Sequence, residues 1–356
     1  MSHPIRPLYV FILAGGSGER FWPLSRQRTP KHLLRLLSER TLLEETIDRI
    51  SSLVPPERIH VLTNASQVED CRACIRGIPP QNCVAEPAKR DTAPAAALAT
   101  AMAWVRDPRA ICALLPADAS IPDGNVLCRQ LADAVEAAST REGIVTFSIS
   151  PTYPSTGFGY LRLGKEEGKL SNGSTLLTVE KFVEKPDQVT AEEYIRLGNY
   201  GWNSGMFLWG ADTFLREARR SAPSLADFIE NFPKGETASY LAERFPALPK
   251  ISVDYAILEK AEKVFAIRAE FDWDDVGTWT ALPAHLGMDA YGNTLKGTTV
   301  MHESRNNIVF GERRVIALCG VKDLVVVETS DALLVCHKDA VQDIKKLQPH
   351  LPGEVK

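Results

Sequence analysis

Leu8-Tyr9-Val10-Phe11-Ile12-Leu13-Ala14-Gly15-Gly16-Ser17-Gly18-Glu19-Arg20-Phe21-Trp22-Pro23-Leu24 passes from an apolar run straight into glycines and an arginine. A short apolar run closed by turn residues reads as a buried strand, placed at Tyr9 to Leu13, and ligands of α/β proteins bind beyond the carboxyl ends of such strands. Glycines there let the backbone approach phosphate oxygens and aim successive N–H groups at them. Arg20 adds a planar, permanent charge suited to a polyphosphate. Two familiar phosphate loops are excluded by the residues themselves. A P-loop needs Gly-Lys-Ser/Thr at its end, which is absent, and a dinucleotide fingerprint begun at Gly16 needs a glycine where Phe21 stands. A plain glycine turn is the bland alternative.

Downstream, Thr41 reads as an N-cap, with Glu44 three residues on able to close a capping box and Leu42, Leu43, Ile47 and Ile50 at helical spacing. Strands are expected at Ile59 to Thr63, Ile111 to Leu115 and Ile144 to Ser148, and helices at Thr92 to Val105 and Val126 to Ser139. That alternation predicts an α/β, Rossmann-like, mainly parallel sheet. After Pro151 shorter β-rich pieces at Gly159 to Leu163, Thr178 to Val183, Met206 to Trp209 and Val264 to Ala269 suggest a mixed-sheet extension over one side of a ligand cleft. From about Tyr291, strand-like runs recur at short intervals: Thr298 to Met301, Asn307 to Phe310, Val315 to Leu318, Leu324 to Glu328 and Ala332 to Cys336, before a final helix near Asp339. The expected organisation is one α/β domain over 1–286 and a small β-rich domain over 287–356.

The 356 residues carry 41 Lys and Arg against 45 Asp and Glu, a net charge of −4, which leaves no broad basic surface for nucleic acid or anionic lipid. Any phosphate must be gripped locally. No apolar run approaches the roughly 20 residues that span a bilayer. Leu8 to Leu13 is too short for a secretory core, so a cytoplasmic protein without membrane contact is expected. Seven cysteines, an odd number in a long chain, do not read as a disulfide framework. Cys71 and Cys74 form a C-x-x-C without a second pair at zinc spacing, on a stretch that reads as helix, which favours core thiols over a structural zinc.

Glu86-Pro87-Ala88-Lys89-Arg90-Asp91-Thr92-Ala93-Pro94 leads into an alanine-rich helix that Thr92 is positioned to cap. Leu114-Leu115-Pro116-Ala117-Asp118 sets one acid just past an apolar strand, and Asp272, Asp274 and Asp275 crowd the segment Phe271 to Trp279. Taken singly these are weak signals. Three acids in a turn also make a solvated surface, Glu184-Lys185-Pro186 also makes an ordinary loop, and Trp202 and Phe207 also fill cores. Their order along the chain is specific. Gly15 to Leu24 followed by Pro30-Lys31 resembles the opening of the sugar nucleotidyltransferases, and Trp22, Trp202-Asn203 and Asp272-Trp273 resemble their GDP-mannose pyrophosphorylase branch. The resemblance runs from residue 8 to about 340, through Thr156-Gly157-Phe158-Gly159-Tyr160, Val183-Glu184-Lys185-Pro186, Trp202 to Phe207 and Ser252 to Lys260. The chain departs from the family's pattern at Glu19, His32-Leu33, Asp91 and Ala119, where the family usually has Thr, Gln-Phe, Asn and His.

What that resemblance implies is a magnesium-dependent transfer of GMP from GTP to mannose 1-phosphate, giving GDP-mannose and pyrophosphate without a covalent enzyme intermediate. It assigns Leu13, Ala14, Gly15, Gly16, Ser17, Gly18, Glu86, Pro87, Arg90 and Thr92 to the nucleotide, with the Glu86 carboxylate accepting from guanine N1–H and its exocyclic amine. Arg20, Lys31, Asp118 and Asp275 form the implied catalytic set, the two aspartates holding Mg2+. Gly159, Glu184, Lys185 and Asn203 fall to the sugar phosphate, with Asp254 a lesser candidate beside a segment whose spacing suits helix packing. The C-terminal unit is implied to be left-handed β-helix-like. A homodimer is compatible with that unit, and the isomerase domain of bifunctional relatives is missing, so one reaction is expected. Three rivals stand beside this reading: a guanylyltransferase for another sugar 1-phosphate such as a manno-heptose, a non-catalytic sugar-nucleotide sensor, and, disfavoured by Phe21, a nicotinamide dehydrogenase.

Overall fold

Period-two alternation along the first strand sets the layers. In the computed structural model, which describes residues 6–355, β1 (Leu8–Ala14) sends Val10, Ile12 and Ala14 to one face and Phe11 to the other. The chain continues through α1 (Leu42–Ile50), β2 (Ile59–Asn64), α2 (Val68–Cys74), β3 (Cys83–Glu86), α3 (Thr92–Trp104), β4 (Ile111–Pro116), α4 (Gly124–Thr140) and β5 (Ile144–Ile149). Then follow β6 (Gly159–Lys169), β7 (Thr175–Glu184), α5 (Gln188–Leu197), β8 (Tyr200–Gly210), α6 (Ala211–Ser221), α7 (Pro223–Glu230) and β9 (Val264–Arg268). Helices α1, α2, α4 and α5 bury their apolar stripes on the Val10 face, and α3, α6 and α7 on the Phe11 face. The Thr41–Glu44 capping box is present, with Glu44 N donating to Thr41 Oγ1 at 3.1 Å and Thr41 N to Glu44 Oε2 at 2.8 Å.

The nine-stranded sheet runs β3-β2-β1-β4-β8-β5-β9-β7-β6. Strands β1, β2, β3 and β4 are mutually parallel, as are β5 and β9, whereas β8 lies antiparallel between β4 and β5. The sheet is therefore mixed, with the parallel half carrying the glycine loop at its carboxyl end. Strand β8 begins well before the expected Met206, because Gly201, Asn203, Ser204 and Gly205 mask a strand whose pairing is set by its neighbours. The alanine-rich α3 is buried on almost every side, small side chains letting it sit between the sheet and α6 and α7. Its cap is Asp91 rather than the expected Thr92: Asp91 Oδ1 accepts from Thr92 N at 2.8 Å, and the Thr92 hydroxyl instead accepts from Val253 N at 2.9 Å.

Past residue 293 the chain coils. Strands β10 (Thr294–Lys296), β11 (Thr299–His302), β12 (Ile308–Gly311), β13 (Ile316–Cys319), β14 (Leu324–Glu328) and β15 (Leu333–His337) form parallel stacks β10-β12-β14 and β11-β13, closed by antiparallel β15. A buried asparagine ladder ties successive coils, Asn293 Oδ1 accepting from Asn307 N at 2.9 Å and Asn307 Oδ1 from Leu324 N at 3.0 Å. The expected last helix is a 3-10 helix over Lys338–His350, whose buried Val341 and Ile344 recur at the three-residue period of that helix. A third core joins this unit to the start of the chain: Phe21, Trp22, Leu36 and Leu42 pack with Val276, Trp279, Ile308, Phe310, Val341 and Ile344.

Candidate active site

Remote aspartates are brought together by a short backbone pairing. Ser120 N donates to Asp274 O at 2.8 Å and Asp274 N to Ser120 O at 3.1 Å, which docks the turn after β4 against the acidic segment. Asp118 and Asp275 consequently line one cavity of about 390 Å³, together with Ser17, Gly18, Arg20, Lys31, Gly277 and Lys345. The buried Lys31 ammonium sits between them, 2.9 Å from Asp118 Oδ2 and hydrogen-bonded to the Asp275 carbonyl. Burial raises the Asp275 carboxyl to about 6, with the Asp274 and Asp118 charges adding to it and Lys31 and Arg20 opposing. Asp274 is different. Despite burial, the His285 hydrogen bond at 3.0 Å and the Val276 N–H at 2.7 Å hold it below the usual carboxylate range, so it is committed to structure.

Local backbone explains why these residues sit where they do. Gly18 has φ of 63°, and a Cβ there would stand 2.5 Å from Lys31 Cβ and 2.7 Å from Lys31 N. Gly18→Ala is expected to push the Lys31 turn outward. It should cost about 2 to 3 kcal/mol from overpacking and left-handed strain combined, read as a lower urea midpoint with a parallel loss of activity. Gly277 clears space for the Asp275 carboxylate, since a Cβ would meet Asp275 Oδ2 at 2.7 Å. Between them Val276 adopts φ of 47°, a conformation a β-branched residue avoids, and its side chain is fully buried in the third core. The C-terminal unit thus helps fix the direction of Asp275.

Two further cavities flank this one. The first, about 510 Å³, is lined by Leu13, Gly15, Gly16, Asn64, Glu86, Arg90, Thr92, Asp118, Asn203 and Asp254 among others. Asn64 Nδ2 donates to the Gly15 carbonyl at 3.0 Å, steadying the glycine loop. Glu86 is 8% exposed and its carboxylate has no hydrogen-bond partner among the described residues, and burial pushes its carboxyl up to about 7. Arg90 also lines this cavity, but its guanidinium donates to the Pro246 carbonyl. The second flanking cavity, about 860 Å³, is lined by Arg20, Tyr153, Thr156, Gly157, Phe158, Lys185, Asp275, Gly277 and Gln342 among others. Lys185 Nζ pairs with Glu184 Oε1 at 2.8 Å, which raises its pKa. The glycine at 159 is needed for that carboxylate, because a Cβ would lie 2.5 Å from Glu184 Oε2.

Ala14 is buried with its carbonyl taken by Thr63 Oγ1 at 2.8 Å, and Pro87 is exposed; neither lines a cavity. Asn203 faces the cavity of Gly15 and Glu86 rather than that of Lys185, its amide held by Asp254 at 3.3 Å and Gly205 N at 3.2 Å. Trp202 is buried in a cluster with Tyr153 and Phe158. Sequence reasoning passed over Asn64, Lys250, Gln342 and Lys345, which stand outside every recognisable motif and enter the cavities through the fold.

A glycine-lined loop at the end of a parallel strand, a carboxylate pair and clustered cations thus line adjoining cavities. The Nucleotidyl transferase family model matches residues 9–286, and the chain belongs to that family. A MannoseP isomerase/GMP-like beta-helix domain model matches residues 297–351. Mannose-1-phosphate guanylyltransferase of Escherichia coli K12 is 36% identical over 98% of this chain and 74% of its own length. Alginate biosynthesis protein AlgA of Pseudomonas aeruginosa is likewise 36% identical, over 96% of this chain and 72% of its own. Among solved structures, a Thermus thermophilus protein described as mannose-1-phosphate geranyltransferase superposes with a TM-score of 0.87 at 37% identity, covering 96% of this chain and 98% of that one. The chain is accordingly a nucleotidyltransferase. No described helix is long and apolar enough to cross a membrane.

Proposed function

We propose that this nucleotidyltransferase moves GMP from GTP to α-D-mannose 1-phosphate, releasing GDP-mannose and pyrophosphate. The observation that carries this reading is the continuity of the three cavities. Asp118 lines both the Glu86 cavity and the central one, while Arg20, Asp275 and Gly277 line both the central cavity and that of Lys185. A nucleoside, a phosphate chain and a sugar phosphate then lie along one track with the aspartates at its middle. The names carried by relatives that match nearly the whole chain support the choice of guanine and mannose.

The residues fit a magnesium ion of the kind that takes two carboxylates and completes its shell with phosphate and water. Asp275 is crowded by like charge, and no group of three or more His, Cys, Asp or Glu among the described residues makes a closed cage. When bound, magnesium would supply charge neutralisation to the nucleotide phosphates. The chain's own residues do the rest. Glu86 accepts from guanine, the Gly15–Gly18 backbone and Arg20 cradle the phosphates, and Lys185 orients the incoming sugar phosphate. That phosphate is already ionised at neutral pH, so no general base is required; an oxygen of it forms the new bond to the α-phosphorus as pyrophosphate leaves with the bonding pair.

A panel crossing four nucleoside triphosphates with mannose, glucose and manno-heptose 1-phosphates, read by pyrophosphate release, tests the reading. GTP with mannose 1-phosphate is expected to give the highest kcat/KM. A higher value for another pair reassigns the substrate, and no release from any pair sinks the proposal.

A further inference from the structure

We propose that Lys345, carried by the C-terminal 3-10 helix, is a binding residue for the departing pyrophosphate, so that the β-helix unit completes the active site. This rests on the guanylyltransferase reading given above. Lys345 lines the central cavity alongside Ser17, Gly18, Glu19, Arg20, Lys31, Asp118 and Asp275. It is the one residue of that lining drawn from beyond residue 287. Its position is fixed from beneath, because the preceding Ile344 and Val341 are buried in the core shared with Phe21, Val276 and Trp279. The end of the chain is tied to the same loop: Trp22 Nε1 and Arg26 Nη1 each donate to the Val355 carbonyl at 2.8 Å.

Charge accounts for what this position does. Lys31 is already engaged by Asp118 and the Asp275 carbonyl. Arg20 has no carboxylate partner among the described residues, and its Nε is buried without any hydrogen-bond partner. Lys345 likewise has no carboxylate partner among them, whereas its neighbour Lys346 is paired with Asp343 at 2.7 Å. Two cations without a carboxylate partner therefore meet in the central cavity, and Lys345, unlike Arg20, lines neither the Glu86 cavity nor that of Lys185, where the products' base and sugar belong. The group that gathers negative charge there is the β,γ-diphosphate, which takes the electron pair as the α-phosphorus to oxygen bond breaks. A flexible ammonium on an exposed helix can follow that group as it leaves, which a buried lysine cannot.

Calorimetric binding of inorganic pyrophosphate with magnesium, and separately of GDP-mannose, to the full chain and to Lys345→Ala and Lys345→Arg decides the point. Lys345→Ala is expected to weaken pyrophosphate roughly 10-fold while GDP-mannose changes by less than about twofold, and Lys345→Arg to recover most of the loss. In the pyrophosphorolysis direction the same variant raises KM for pyrophosphate and leaves KM for GDP-mannose in place. Unchanged pyrophosphate binding in Lys345→Ala overturns the assignment. Equal weakening of both ligands with a lowered Tm also overturns it, since that marks a packing role. If the parent chain binds pyrophosphate but makes no GDP-mannose, the guanylyltransferase reading fails while the comparison of variants still decides Lys345.

Discussion

Asp275→Asn lowers turnover by roughly 10³-fold while leaving a folded chain whose melting temperature is no lower than the parent's. The two halves of that expectation have one cause. Asp275 is a carboxylate kept in a largely buried place, with Asp274 and Asp118 close enough to oppose its charge. Its folded pKa of about 6 lies above the ordinary carboxylate value, so the folded chain binds this proton more tightly than the unfolded one. Stability from this group therefore falls as pH rises through the window up to about 6, and above it the ionised side chain is a net cost. A neutral amide of the same shape removes the cost, about 1 to 2 kcal/mol after allowance for screening, and also removes the negative charge that would hold a magnesium ion beside the phosphates. Asp118→Asn separates the effects, because Asp118 is the ionic partner of Lys31 at 2.9 Å. Turnover is again lost, but Tm falls slightly. Single-turnover GDP-mannose formation and thermal denaturation at neutral pH measure both quantities. Near-parental turnover in either variant removes the carboxylate pair from the chemistry.

The glycine loop, the strand before it and the parallel half of the sheet were legible because each rests on local pattern: an apolar run, turn residues and a capping box at Thr41 and Glu44. Asp118 and Asp275 were legible as residues, yet their meeting depends on the Ser120–Asp274 pairing and on Val276 being held in an unfavourable conformation by a distant core. Nothing local announces such a contact. Gly18 illustrates the same limit from another side. Its place in the glycine loop after the first strand could be read directly, but the reason no other residue fits is the backbone of Lys31 pressed against it. Thr92 was misjudged as a cap because two good capping residues stand side by side, and the choice between them is made by Val253 N, which claims the threonine hydroxyl. Strand β8 and Lys345 were hidden for a shared reason: glycines and polar residues in one, and an ordinary-looking lysine in the other, acquire meaning from elements far away in sequence.

Glu86→Gln is expected to cost GTP roughly 10²-fold in kcat/KM, to abolish most of its pH dependence, and to move the GTP-to-ATP preference toward ATP. Guanine presents two N–H donors on one edge, which a carboxylate accepts together. An amide offers one acceptor and one donor, a set that suits the N1 acceptor and N6 donor of adenine instead. Burial holds Glu86 near pKa 7 in the free protein, with no cation on it to favour the ionised form. Donation by guanine favours the ionised form, so nucleotide binding releases a proton wherever Glu86 begins protonated. Apparent affinity for GTP should then fall by about tenfold per pH unit below 7 and level off above it. Calorimetry in two buffers of different ionisation enthalpy reads the released proton directly near pH 6, and the glutamine variant should release none. A flat affinity profile in the parent, or a GTP-to-ATP ratio untouched by the substitution, would place the base away from Glu86 and leave that buried carboxylate without a ligand.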